Sequence, residues 1–200
     1  MKYAISLILL VSLVLVMGCA PAEKGTLVMQ ITDAPADLNI EKALVTISDV
    51  EVNFAGGDEN ATTGWMTVVS EEQTFDLLQL VGVTELLGET QLAAGKYNQV
   101  RLSVTSAKVT IDGTEYDLEV PSDKLKLVKG FDIVAGETTT LTLDFDAKES
   151  VVATGVGKYL LKPTIKILSE EETAAKMGGK PETTPPEDAG RPEEAGKPTQ

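Results

Sequence analysis

Asp144 and Asp146 stand one residue apart in LTLDFDAKESVV, residues 141–152, at the end of an alternating apolar run. On a strand such side chains share a face, and at ~3.3 Å per residue they lie roughly 7 Å apart. Three chemistries fit the pair. Glycosidases use carboxylates separated by roughly 5–9.5 Å, so acid–base catalysis is the first. Calcium, which takes about 6–8 oxygen ligands in tolerant geometry, is the second. Asp33 and Asp37 of TDAPAD would join Asp144 and Asp146 around such an ion if those strand ends are adjacent. The third is structural. Asp146 and Glu149 have the spacing by which an acid caps a helical turn over 147–150, Asp33 fixes a turn ahead of Pro35, and Asp144 faces water. Neighbouring acids on one strand do not straddle a substrate, and a single tryptophan offers little aromatic wall for a sugar. The structural reading is therefore preferred to calcium, and calcium to catalysis.

Little other chemistry is open to this chain. It has no histidine, which removes Ser-His-Asp and Cys-His catalysis, His-x-x-x-His zinc sites and imidazole-ligated haem or copper. It carries no Gly-x-Ser-x-Gly elbow, Ser-x-x-Lys pair or Gly-x-x-x-x-Gly-Lys phosphate loop. A non-enzymatic protein is expected, with no catalytic residue and no cofactor beyond the calcium alternative. The formal net charge of −14 repels phosphate backbones, and no basic, aromatic-interleaved patch offsets it, so nucleic acid is not an expected partner. Asn60 heads the sequon Asn60-Ala61-Thr62 in a polar loop, a glycosylation site only in a host that modifies asparagine.

The two ends differ from the middle. The chain opens MKYAISLILLVSLVLVMG, a basic start followed by an apolar run from Ala4 to Met17. That run is short for a bilayer span of ~20 residues and has the form of a secretory signal. Val16-Met17-Gly18-Cys19 resembles a prokaryotic lipobox, in which cleavage before the cysteine accompanies attachment of diacylglycerol to its thiol. Cys19 is thus the expected lipid site. Two acyl chains at ~0.8 kcal/mol per buried methylene hold a protein stably on a membrane. No second cysteine exists, so no intrachain disulfide is available. From Ser169 to Gln200 there are five prolines, four glycines and eight acids, with no aromatic, Ile, Leu or Val. Such a composition buries too little apolar surface to offset ordering entropy and predicts a disordered, solvated tail. The division expected is a signal peptide over 1–18, a tether over 19–24, one domain over 25–168 and a tail over 169–200.

The domain reads as strands. Leu27, Met29 and Ile31 alternate with Val28, Gln30 and Thr32. Ala43, Val45 and Ile47 share one parity but Val50, Val52 and Phe54 the other, which requires a β-bulge near Ser48-Asp49. The same break separates Val104 from Val109 and falls near Thr105-Ser106. Asp112-Gly113 marks a two-residue hairpin of the type I′ class. In FDLLQLVGVTELLG, residues 75–88, Asp76 and Gln79 have capping-box spacing and Gly88 suits a helical stop, so one short helical connection is expected there. Many short strands with frequent turns predict an all-β, antiparallel sandwich.

TDAP from Thr32, TFDLLQL from Thr74, LAAGKYNQVRL from Leu92, VPS from Val120, LDFDAKESVV from Leu143 and GKYLLKP over 157–163 occur in order. Together they resemble the family catalogued as domain of unknown function 4382, usually found on exported prokaryotic lipoproteins. The resemblance covers about residues 26–167. It implies an immunoglobulin- or transthyretin-like sandwich and no activity, so it brings no catalytic residues. The functional expectation is a surface lipoprotein on the cell membrane or outer membrane of a prokaryote, binding an envelope protein or polymer. The alternative is a calcium-assisted carbohydrate-binding or adhesive module.

Overall fold

Period-two alternation of buried and exposed residues runs through nearly every segment, as apolar side chains at every second position demand a strand with one dry face. The computed structural model describes residues 23–34, 40–56, 64–122 and 124–178. Among these described residues twelve strands form: β1 (Lys24–Asp33), β2 (Ile40–Gly56), β3 (Gly64–Val69), β4 (Gln73–Asp76), β5 (Glu85–Ala93), β6 (Gly95–Ile111), β7 (Thr114–Glu119), β8 (Lys124–Ile133), β9 (Thr138–Phe145), β10 (Val151–Gly155), β11 (Lys158–Leu161) and β12 (Ile165–Ser169). Two short helices, α1 (Ala147–Ser150) and α2 (Glu170–Lys176), follow β9 and β12.

The strands make two sheets packed face to face. The smaller has the order β12-β9-β1-β5, and the larger β10-β11-β7-β6-β2-β3 with β4 beside β2 and β8 beside β6. Leu27, Met29 and Ile31 of β1 and Leu141, Leu143 and Phe145 of β9 meet Val50, Val52, Val100 and Leu102 of the larger sheet in one core. The all-β sandwich is as expected. Its sheets are mixed, however, because β1 runs parallel to β9 and β7 to β11. Nothing in a strand's own alternation distinguishes a parallel neighbour from an antiparallel one, so this feature lies in the tertiary pairing.

Both bulges lie where parity requires them. Thr46 faces Ser106 but Ile47 faces Val104, leaving Thr105 extra; Asp49 then faces Ser103, leaving Ser48 extra. At this level the long strands exchange neighbours. β2 passes from β4 to β3, and β6 passes from β7 to β8. The extra residues bend both strands and keep Val50, Val52, Val100 and Leu102 on the core side. Asp112 and Gly113 have φ of 48° and 73°, the two positive values a type I′ turn needs.

The short helical connection expected over 75–88 is present as the 3-10 helix Leu77–Leu80, ahead of β5, but its ends differ from those expected. Asp76 does not cap it; its carboxylate accepts the Ala43 N–H at 3.2 Å and serves β2 instead. Gly88 lies within β5, where a Cβ would stand 2.6 Å from Val69 Cγ2, so close sheet packing rather than a helix stop requires glycine. The boundary at 168/169 also moves. Ser169 ends β12 and opens α2 through a capping box, its hydroxyl accepting from Glu172 N–H and the Glu172 carboxylate from Ser169 N–H. Composition averaged over 169–200 hides this turn, because it is held by polar contacts rather than by Ile, Leu or Val. Residues 179–200 lie outside the described residues, as does the signal segment. Among the described residues no helix is long and apolar enough to cross a membrane.

Candidate functional site

Of the four aspartates singled out by spacing, Asp33, Asp144 and Asp146 lie at one end of the sandwich, where β1, β9 and α1 meet. β1 and β9 pair in parallel with Ile31 beside Leu143, Thr32 beside Asp144 and Asp33 beside Phe145. Directly paired residues share a face of a sheet. Asp33 therefore points inward with Phe145, while Asp144 points outward with Thr32. One residue of register separates two carboxylates that sequence proximity to strand ends would have grouped.

Asp33 is fully buried. Its Oδ1 accepts the Ala147 N–H at 3.0 Å, which fastens the start of α1 to the end of β1. Its Oδ2 has no hydrogen-bond partner among the described residues. Burial pushes its pKa up to about 6, against the downward pull of the Ala147 N–H. The bond to Ala147 joins segments far apart in the chain; the turn expected ahead of Pro35 runs into residues 35–39, outside the described residues.

Asp144 does not face water. It pairs with Lys176 of α2, and its side chain is 11% exposed. The same ammonium donates to the Asp33 main-chain carbonyl at 3.3 Å, so α2 closes over the outer face at this corner. Asp146 caps α1 as its spacing predicts, with Oδ1 accepting from Glu149 N–H at 3.0 Å. Replacing Asp146 by alanine is expected to cost about 0.5–2 kcal/mol, and an unaltered urea midpoint would count against the cap. Asp37, Asn60 and Cys19 lie outside the described residues.

Other segments quoted from the sequence meet here too. Thr32 Oγ1 lies 2.7 Å from the Val83 carbonyl and 3.0 Å from that of Leu80, tying β1 to the 3-10 turn. Ser150 Oγ accepts the Thr164 N–H at 2.9 Å, and Asp146 N–H donates to the Thr164 carbonyl at 3.0 Å. A small pocket of about 230 Å³ lies beside this corner, lined by Ala34, Asp144, Asp146, Glu149, Thr164 and Lys166. Its acids do not converge. Among the described residues no three metal-binding side chains are grouped to hold an ion. Asp33 points to the other face from Asp144, and Asp144 and Asp146 already hold an ammonium and a backbone N–H. The corner joins strands, with one oxygen of each of Asp33, Asp144 and Asp146 accepting such a bond.

Two polar features escaped sequence reasoning. Arg101 on β6 stacks 3.6 Å above the ring of Trp65 on β3 and pairs with Glu51 of β2 at 3.6 Å. Lys129 on β8 binds Glu172 of α2 at 3.0 Å, and the Ser169 N–H, together with this bond, holds the Glu172 carboxyl down at about 2. Parity places Glu51 and Arg101 outward, but only strand order makes Trp65 their neighbour.

A comparison with curated proteins finds no match. Among solved structures, a leucine-rich repeat protein from Bacteroides thetaiotaomicron aligns at 13% identity over 60% of this chain and 13% of its own length. Its TM-score of 0.23 makes that likeness too slight to bear on fold or function. The family model described as a domain of unknown function, DUF4382, matches residues 24–163, which run from the first residue of β1 through β11 and include both the inward Asp33 and the capped α1. With more than half its length so matched, the chain belongs to the DUF4382 family.

Proposed function

We propose that this chain is an exported lipoprotein, held on a prokaryotic membrane through Cys19, whose β-sandwich is a non-enzymatic binding or structural domain of the cell envelope. The observation that carries the non-enzymatic part is the state of the corner acids. Asp33, Asp144 and Asp146 each serve a structural bond to a segment or side chain outside their own strand, and a chain without histidine has few other groups for acid–base work.

The anchor reading rests on Val16-Met17-Gly18-Cys19 after the apolar run. β1 starts at Lys24, five residues beyond Cys19, which is a reach of at most ~18 Å. A lipid on Cys19 would therefore keep the Lys24 pole of the sandwich next to the bilayer. The Asp33 corner is nine residues along β1, roughly 30 Å from that pole at ~3.3 Å per residue. Flanks and distal end would face the envelope and be open to partners.

Cys19→Ser tests the anchor. The expected result is loss of radiolabelled palmitate incorporation and movement of the chain from the membrane to the soluble fraction. A variant that still takes up the label and sediments with membranes removes the proposal.

A further inference from the structure

Away from the aspartate corner, the outer face of the larger sheet carries a regular block of side chains where β3, β2, β6 and β8 lie side by side. The register is unbroken at this level, so directly paired residues form rows across the four strands on one face. One row holds Trp65, Asn53, Gln99 and Val128; the next holds Thr67, Glu51, Arg101 and Lys126. Val52 and Val100, of the opposite parity, fill the core, so both rows face outward. At ~4.8 Å between strands and ~3.3 Å per residue, the block spans roughly 14 Å by 7 Å. Val128 at its margin is 83% exposed.

Two features set this block apart from a face that only meets water. Arg101 and Lys126 stand directly opposite each other on adjacent strands, an arrangement of like charges that destabilises a sheet. Glu51, on the other side of Arg101, answers one of the two cations, and only at 3.6 Å, beyond hydrogen-bonding length. Lys126 has no ion-pair partner among the described residues. The second feature is the confinement of Arg101. Its guanidinium carbon lies 3.6 Å from the centre of the Trp65 ring, and its Nε is buried with no hydrogen-bond partner among the described residues. A buried donor left unmet costs free energy. In a chain of formal charge −14, this block pairs two cations with a single acid and leaves part of their bonding capacity unused.

We propose that this face binds an acidic polysaccharide, with a uronate carboxylate at Arg101 and Lys126 and sugar rings lying across Asn53, Gln99 and the accessible part of Trp65. An anion there offsets the like-charge pair, and a guanidinium fork suits a planar carboxylate. Indole and Val128 supply apolar surface for the C–H faces of a sugar, while the two amides and the Thr67 hydroxyl offer both donors and acceptors to its hydroxyl groups. An acidic peptide gains less. β2 and β6 are each paired on both sides at this level, so the middle of the block has no free main-chain groups for a peptide strand to join.

The inference deepens the binding-domain reading and rests on it, but not on lipidation at Cys19. Trp65 is the chain's one tryptophan, so its emission reports on this face alone. The test titrates the full chain in detergent with hexagalacturonate, followed by tryptophan fluorescence and by calorimetry. Binding is expected that shifts the emission, weakens at high salt, and falls about tenfold or more in Arg101→Gln and in Lys126→Glu. Calorimetry should show a similar loss in Trp65→Ala. Glu51→Gln, which removes the acid of the block, should strengthen binding, and Lys158→Glu, on β11, should leave it unchanged. Circular dichroism melts of each variant separate lost binding from lost folding. Lys126 is exposed, so its variant decides the matter even if Arg101→Gln or Trp65→Ala unfolds. Equal binding of the methyl ester of hexagalacturonate would leave the carboxylate without a role and overturn the proposal. So would equal binding of hexaglutamate, insensitivity to Lys126→Glu, or neither heat nor a change in emission at millimolar sugar. If the sugar fails while Cys19→Ser still releases the chain, the assignment of this face falls and the anchor stands.

Discussion

Between about pH 3 and about pH 7.5 the wild-type chain is expected to lose roughly 3 kcal/mol of stability relative to Asp33→Asn. Asp33 has a pKa of about 6 in the folded chain, against ~3.9 when unfolded. In the window between these values the folded chain keeps a proton that the unfolded chain has released. The unfolded state then binds fewer protons, so stability falls as pH rises. Below the unfolded value both states are protonated and the contribution is fully present; above about 6 both are ionised and it is gone. Two units at about 1.4 kcal/mol each give the size. Asparagine keeps an Oδ1 acceptor for the Ala147 N–H but does not titrate. Its Nδ2 donors, placed where Oδ2 has no partner, add an offset that is the same at every pH. Taking the difference between the two proteins cancels the other carboxylates. Glu172 is one of these, and its sign is opposite: held at about 2, it contributes stability lost as pH falls. Urea unfolding at several pH values makes the measurement. A difference that stays flat across the window would show that Asp33 titrates as it does in the unfolded chain.

What the sequence could express of this corner is what is local. The Asp146 cap spans three residues, so its Asp-x-x-Glu spacing is visible in the chain and recurs in the structure. The bulges at Ser48 and Thr105 were legible for a different reason: period-two alternation admits no parity change without an extra residue, so each break announces itself within one strand. The hairpin at Asp112-Gly113 is a two-residue event of the same kind. By contrast, the Asp33–Ala147 bond joins residues 114 apart, and that from Lys176 to the Asp33 carbonyl spans 143. Both depend on β1 lying parallel to β9, which no pattern within either strand encodes. Strand alternation correctly faced Leu141, Leu143 and Phe145 inward, yet it could not say that Lys176 would cover Asp144.

Phe145→Ala is expected to cost about 3–5 kcal/mol, the range for deleting a fully buried aromatic side chain. Phe145 is completely inaccessible to solvent and anchors the core at the end of β9. Its neighbour across the ladder is Asp33, on the same face, and the Ala34 N–H donates to its carbonyl at 2.8 Å. The ring is therefore both core and part of the low-dielectric wall that denies water to the Asp33 carboxylate. Removing it leaves a void with one polar side, and such a void admits water where a purely apolar one stays dry. A second consequence follows. In the Phe145→Ala background the pH-dependent gap between chains with and without Asp33→Asn should shrink below its wild-type value, because a hydrated carboxylate has less reason to hold its proton. Leu143→Ala provides the comparison. It deletes a buried side chain two residues away on the same face, beside Ile31 rather than Asp33, and costs about 2–5 kcal/mol, but should leave that gap intact. The four-way cycle thus separates lost packing, common to both deletions, from lost desolvation, specific to Phe145. If Phe145→Ala lowers stability and the gap persists unaltered, the carboxylate owes its raised pKa to its enclosure by the backbone of α1 and the end of β1, not to the ring.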